Sequence, residues 1–111
     1  MSAMPKPTRY YSKKQEDKVA KTVSGKRIAN SGATAFSKGD VSSDKYLFEC
    51  KTCTTPKDSM SVKKEWLTKT NEEAFAMRKE AGIVVIDFGS GDNYYILPER
   101  LFIELTGDLE K

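Results

Sequence analysis

Lys38-Gly39-Asp40-Val41, followed after the turn Ser42-Ser43-Asp44 by Tyr46-Leu47-Phe48-Glu49-Cys50-Lys51-Thr52, is the stretch that decides the fold. It reads as two short strands joined by that turn. Alternate side chains of a strand share a face, so Tyr46, Phe48 and Cys50 form the apolar, core-facing set. Glu49 and Lys51 then share the other face, and Asp40 is delivered beside them by the neighbouring strand. Half-buried charges are costly unless paired or holding a metal. Two carboxylates and a lysine on one spot suit a hard divalent cation and an attacking water.

The elements around this stretch alternate helix and strand. Lys13 to Val23 is predicted as a short helix, with Ser12 as its N-cap, Gln15 in the capping-box position, and Val19, Ala20 and Val23 as its apolar stripe. Gly25 is expected to end it. Ile28 fits a first short strand, and Ala29 to Lys38 has the small, polar composition of a loop. Beyond Thr52, a polar loop leads to Ser61, the expected cap of a helix from Val62 to Ala81. Its stripe is Val62, Trp66, Leu67, Thr70, Ala74, Met77 and Ala81, read as core packing, with Gly82 as its stop. Gly82 to Phe88 is a continuous apolar run, as in a strand covered on both faces. Gly89 to Asn93 is turn chemistry, Tyr94 to Leu97 the return strand, and Pro98-Glu99-Arg100 the start of a last helix. The order is that of an α/β domain.

With 111 residues the chain is expected to be one domain, 13–111, behind a flexible basic arm, 1–12. No apolar run approaches a membrane span, so no membrane partner is expected, and the start is polar and basic. The expectation is a soluble, cytoplasmic protein. Formal charge is +3 but uneven: residues 1–39 carry nine Lys and Arg against two acidic residues, +7, and the remainder ten against fourteen, −4. A basic front on an acidic body suits a polyanion, although a solvated lysine-rich tail would look the same. Histidine is absent, which removes imidazole-based nuclease chemistry. Cys50-x-x-Cys53 lacks the second ligand pair a zinc site needs, and Cys50 lies within a strand, so a small core residue is expected.

Asp40 with Glu49-x-Lys51 resembles the PD-(D/E)xK nuclease superfamily, and within it the small Holliday-junction resolvases of archaeal and phage type. The resemblance covers about Lys13 to Leu97. Gly39 stands where the family name has proline. It implies a restriction-endonuclease-like core, a mixed central β-sheet flanked by helices, and Asp40, Glu49 and Lys51 as catalytic residues. Asp40 and Glu49 are the implied ligands of Mg²⁺, for which Mn²⁺ substitutes, and the Cys50 backbone carbonyl between them is a further candidate. A first-helix glutamate joins the metal site in the resolvases. Glu16 matches by order, with Asp17 as the neighbour that could replace it and a plain surface acid as the alternative. Arg27, Ser31 and Gly32 match the arginine and Ser-Gly loop that precede the family's aspartate. A small-residue loop lets a phosphate approach closely, and an arginine offers it a bidentate fork.

The expected function is therefore a metal-dependent, structure-specific DNA endonuclease, with four-way or other branched DNA as partner. A small domain without a recognition module reads shape better than base edges. Arg27, Ser31, Gly32, Lys38, Lys57, Lys63 and Lys64 are the candidate DNA-binding residues, the last three because they stand at the entry of the helix predicted from Val62. Two symmetric cuts call for two sites, so a homodimer is expected. Its candidate surfaces are the Phe88/Tyr94–Tyr95 hairpin and the Leu101–Leu105 helix, where apolar side chains exceed what a small core can hold. Alternatives are a restriction- or nicking-type nuclease, a non-catalytic nucleic-acid-binding protein, and a structural protein in which Glu49–Lys51 is a strand ion pair.

Overall fold

The helix predicted from Lys13 begins a full turn earlier. Helix α1 spans Thr8–Thr22, in a computed structural model that describes residues 8–28 and 40–107. Of the arm expected over 1–12, Arg9 to Ser12 are helical instead, Ser12 is not a cap, and residues 1–7 lie outside the described part. Tyr11 and Ser12 are half-buried, and such tertiary support is something a short-range reading cannot see. At the other end, Ser24 and not Gly25 takes the left-handed conformation, with φ 55°. The Gly25 amide donates to the Ala20 carbonyl at 2.9 Å. Gly25 serves a close approach instead, since a Cβ there would lie 2.4 Å from the Ser42 carbonyl oxygen.

Strand β1 is Lys26–Arg27, β2 is Val41–Ser42 and β3 is Tyr46–Thr52. Ile28 follows β1 rather than lying within it, and its amide still donates to the Asp40 carbonyl at 2.9 Å. Helix α2 runs Lys64–Ala76, well inside the predicted 62–81. Its cap position is Lys63, without a side-chain cap bond, in place of Ser61. Arg78 turns left-handed at φ 60° and stops the helix early, while Lys79 Nζ donates to the Ser43 carbonyl at 2.7 Å. Ala81, read as the end of the helical stripe, opens β4, Ala81–Asp87. Strand β5 is Asn93–Ile96 and helix α3 is Glu99–Thr106. Between β4 and β5, Asp87 Oδ1 accepts from the amides of Gly89, Ser90 and Gly91 at 2.7, 3.1 and 3.1 Å. Both glycines of this turn have positive φ.

The described residues thus form an α/β fold, a five-stranded mixed sheet of order β1-β2-β3-β4-β5 with three helices. Strands β3 and β4 are parallel, from Tyr46↔Ala81 to Thr52↔Asp87, and the other pairs are antiparallel. A parallel pair needs a crossover, which α2 supplies. Every residue of β4 is buried, as its apolar run predicts. On one face Phe48, Ile83 and Val85 pack with Val19 of α1 and Leu101 of α3. The alternate residues Leu47 and Val84, both fully buried, face α2. The backbone of α2 comes so near that a Cβ on Gly82 would lie 2.5 Å from the Thr70 carbonyl. Gly82, expected as a helix stop, is a contact residue between strand and helix. None of the described helices is long and apolar enough to cross a membrane.

Candidate active site

The site lies where β2 runs out and leaves the edge of β3 uncovered. Val41 pairs with Phe48, and Asp40 stands directly before it, just beyond the ladder. Asp40 is fixed through its backbone: its amide donates to the Phe48 carbonyl at 2.9 Å, and its carbonyl accepts from Ile28. Its side chain then replaces the missing strand partner. Asp40 Oδ2 accepts the Cys50 amide at 2.8 Å. A residue's N–H and C=O leave an antiparallel strand on the same side, so the Cys50 carbonyl also emerges at this open edge. The ladder is not continued to Asp40, whose amide bonds to Phe48 as an extra residue opposite it would, yet its carboxylate stays near enough to Glu49 to raise it.

The electrostatics follow from crowding. Burial and the neighbouring Asp40 charge raise the Glu49 carboxyl to about 7, against the pull of Lys51. Lys51 Nζ stands 3.9 Å from Glu49 Oε1 and 4.8 Å from the centre of the Trp66 ring. Trp66 is thus more than a member of the core stripe, because it carries the Lys51 ammonium on its face. Burial, then the Asp40 charge, also raises Glu16, with Arg27 acting the other way. Burial and the same three carboxylates, Asp40, Glu16 and Glu49, push the Cys50 thiol up, away from the thiolate form that reacts. Cys50 and Cys53 are free thiols.

Glu16 and Asp40 line one cavity of about 610 Å³ together with Arg9, Ser12, Lys13 and Arg27. Glu49 and Lys51 line a smaller one, about 150 Å³, against Glu65, Trp66, Lys69 and Glu73 of α2. Asp17, the alternative to Glu16, is exposed and paired with Arg27 at 3.5 Å. Arg27 lies at 3.3 Å from Glu16 as well, so the fork expected to grip phosphate is held at the site by carboxylates. Among the described residues no three Asp, Glu, Cys or His side chains are gathered as a ready cation site. Each carboxylate has its own partner instead: Arg27 for Glu16, the Cys50 amide for Asp40, Lys51 for Glu49.

Lys57 and Lys63 are exposed on the loop before α2, and Lys64 lines a separate groove with Leu67, Leu97 and Pro98. Ser31, Gly32 and Lys38 lie outside the described residues. Sequence reading missed Arg9 and Lys13, whose spacing of four places them on one helix face with Glu16 once the helix is known to start at Thr8. It also missed the Lys51–Trp66 contact, for which no local signal exists. Set against known protein families, curated proteins and solved structures, the chain matches none of them.

Proposed function

We propose that the protein is a metal-dependent DNA endonuclease acting on branched DNA, with a four-way junction as substrate, on a restriction-endonuclease-like core. The observation that carries this is the bond from the Cys50 amide to Asp40. It brings the Asp40 carboxylate beside the raised Glu49 carboxyl, at the open edge of the strand that bears Lys51. The donors fit Mg²⁺ or Mn²⁺, being hard oxygens, and two crowded carboxylates are what a divalent cation relieves. Asp40 and Glu49 would hold the ion, with Glu16 and the Cys50 carbonyl as further ligands. Bound there, the ion would polarise the scissile phosphate and acidify a water. Lys51, held between Glu49 and the Trp66 ring, orients that water and balances charge developing on the phosphoryl oxygens. Arg9, Lys13 and Arg27 set a basic rim around Glu16 and Asp40 and hold the phosphates on either side.

A homodimer would supply the second cut. The same basic rim would also suit a protein that binds nucleic acid without cutting it, and the separate pairing of the three carboxylates favours that second reading. A cleavage panel of four-way junction, flap, duplex and single strand, with Mg²⁺ and with EDTA, decides between them. Junction cleavage that needs the divalent ion is expected. Salt-sensitive binding without cleavage in any condition would leave only the binding protein.

A further inference from the structure

Helix α1 separates two cavities. Arg9, Ser12, Lys13 and Glu16 line the acidic one, and Tyr11, Lys14, Gln15 and Lys18 line another of about 210 Å³. At about 100° per residue these two sets lie on opposite flanks of the helix. The second cavity is closed below by Thr52 and Cys53, directly after Lys51 in β3, and at its rim by the Ser90 turn. A helix is about 10 Å across, so a strand bound at the acidic cavity reaches this one within a short step.

Three features of the cavity point to one kind of ligand. Lys14 and Lys18 offer positive charge, and Lys18 is fixed by a bond to the Gly91 carbonyl. Tyr11 offers a ring. Gln15 is only 4 % exposed, and its Nε2 donates to the carbonyls of Lys51 at 3.0 Å and Val85 at 3.3 Å. Those two backbone acceptors fix which way the amide faces. Gln15 Oε1 is left as a buried acceptor without a partner, an arrangement that costs stability until a donor meets it. A ligand suited to all three carries an anionic group, a planar body and an N–H donor. We infer that this cavity takes a single unpaired nucleotide, its phosphate at Lys14 and Lys18, its base against Tyr11 and a base N–H on Gln15.

The choice of a strand nucleotide rests on the DNA reading above, so the test is run without cleavage. The full chain in EDTA is titrated with the four deoxynucleoside 5′-monophosphates, their nucleosides and inorganic phosphate, following the amide signals of Tyr11, Thr52 and Ser90. At least one nucleotide should move all three signals at about one-tenth the concentration that phosphate or nucleoside requires. Tyr11→Leu and Lys14→Ala should each weaken that binding about tenfold, the scale of one stacked base. Gln15→Leu is less informative, because it also removes the bonds to β3 and β4. Equal response to phosphate alone would mean an adventitious ion only and would overturn the inference, as would no response or indifference to both variants. Nucleotide binding by a chain that cuts no DNA would sink the nuclease reading alone. Junction cleavage by a chain that binds no nucleotide would sink this inference alone.

Discussion

The Lys51 ammonium sits over the Trp66 ring, 4.8 Å from its centre, and 3.9 Å from the Glu49 carboxylate. One residue on the crossover helix therefore positions the lysine that the proposed chemistry depends on. A flexible four-carbon stem has many conformers, and a ring face together with a carboxylate selects among them. Lys51→Ala should lower kcat by about two orders of magnitude or more, the scale of losing a preorganised charge. Trp66→Leu should lower kcat about 3- to 30-fold, the range of a partly desolvated cation–π contact, with KM near wild type. Trp66→Phe should restore part of the loss. Equal rates for the Leu and Phe variants would reduce Trp66 to a packing residue.

Asp40→Asn and Glu49→Gln should abolish junction cleavage while leaving DNA binding equal or tighter, since each removes a negative charge facing phosphate. Glu49 also makes a stability prediction. Its carboxyl is raised from 4.5 to about 7 by burial and by Asp40, so its contribution to the fold is full below about 4.5. That contribution declines as pH rises through about 7 and is lost above. Metal-free wild type should lose stability across that window. Glu49→Gln should lose less and be more stable at pH 8 by about 1–2 kcal/mol, discounting for the part of the carboxylate that solvent screens. Denaturation in EDTA at pH 5 and pH 8 measures both. Identical pH dependence in the two proteins would mean that Glu49 ionises freely.

Arg9 and Lys13 reach the acidic cavity from the first turns of α1. Arg9→Ala and Lys13→Ala should each weaken junction binding and flatten its salt dependence by about one unit of slope if each meets one phosphate. Lys57→Ala, exposed on the loop before α2, should do less. Removing residues 1–12 should destabilise the domain as well as weaken binding, because it deletes the first turn of α1. A larger loss from Lys57→Ala than from Arg9→Ala would place the DNA on the other side of the sheet.

The strands were legible because their signals are local. Tyr46, Phe48 and Cys50 mark the core face of β3, although Leu47 on the other face is buried as well, and Ile83 to Ile86 is apolar throughout because both its faces are covered. Helix limits were less legible. Met77 and Ala81 continue the spacing of α2, yet the left-handed Arg78 ends the helix, and nothing in a local apolar pattern marks that residue. Asp40, Glu49 and Lys51 could be singled out because a hairpin places them by counting residues. Arg9, Lys13 and Trp66 come from helices whose docking on the sheet is a tertiary outcome. Gly82 shows the difference most directly. A Cβ there would meet the Thr70 backbone at 2.5 Å, so Gly82→Ala should cost about 1–3 kcal/mol by overpacking. Gly91→Ala, where a Cβ meets nothing within 4 Å, should cost only the strain of its positive φ. Chemical denaturation of the two variants checks the order. A tolerated Gly82→Ala would mean that α2 yields easily from the sheet.

The proposed dimer rests on apolar side chains that the core leaves outside. Phe88 packs against Tyr94 at 5.7 Å and Tyr95 against Phe48 at 6.2 Å, while Leu101 is wholly buried. Phe88, Tyr95 and Leu101 complete the monomer and are not available to a partner. Phe102, Ile103 and Leu105 of α3 remain 55–60 % exposed, and Tyr94 of the edge strand β5 is 55 % exposed. Large apolar residues grouped on one short helix beside a sheet edge mark an association surface more often than a solvated one. A two-fold pairing through α3 would bury the group on both copies at once. Sedimentation at micromolar concentration should give a dimer. Phe102→Lys combined with Leu105→Glu should give a folded monomer, since Leu101 keeps the helix on the core. That monomer should nick junctions singly where the dimer cuts in pairs. A wild-type chain that is monomeric and still makes paired cuts would remove both the dimer and the reason for proposing it.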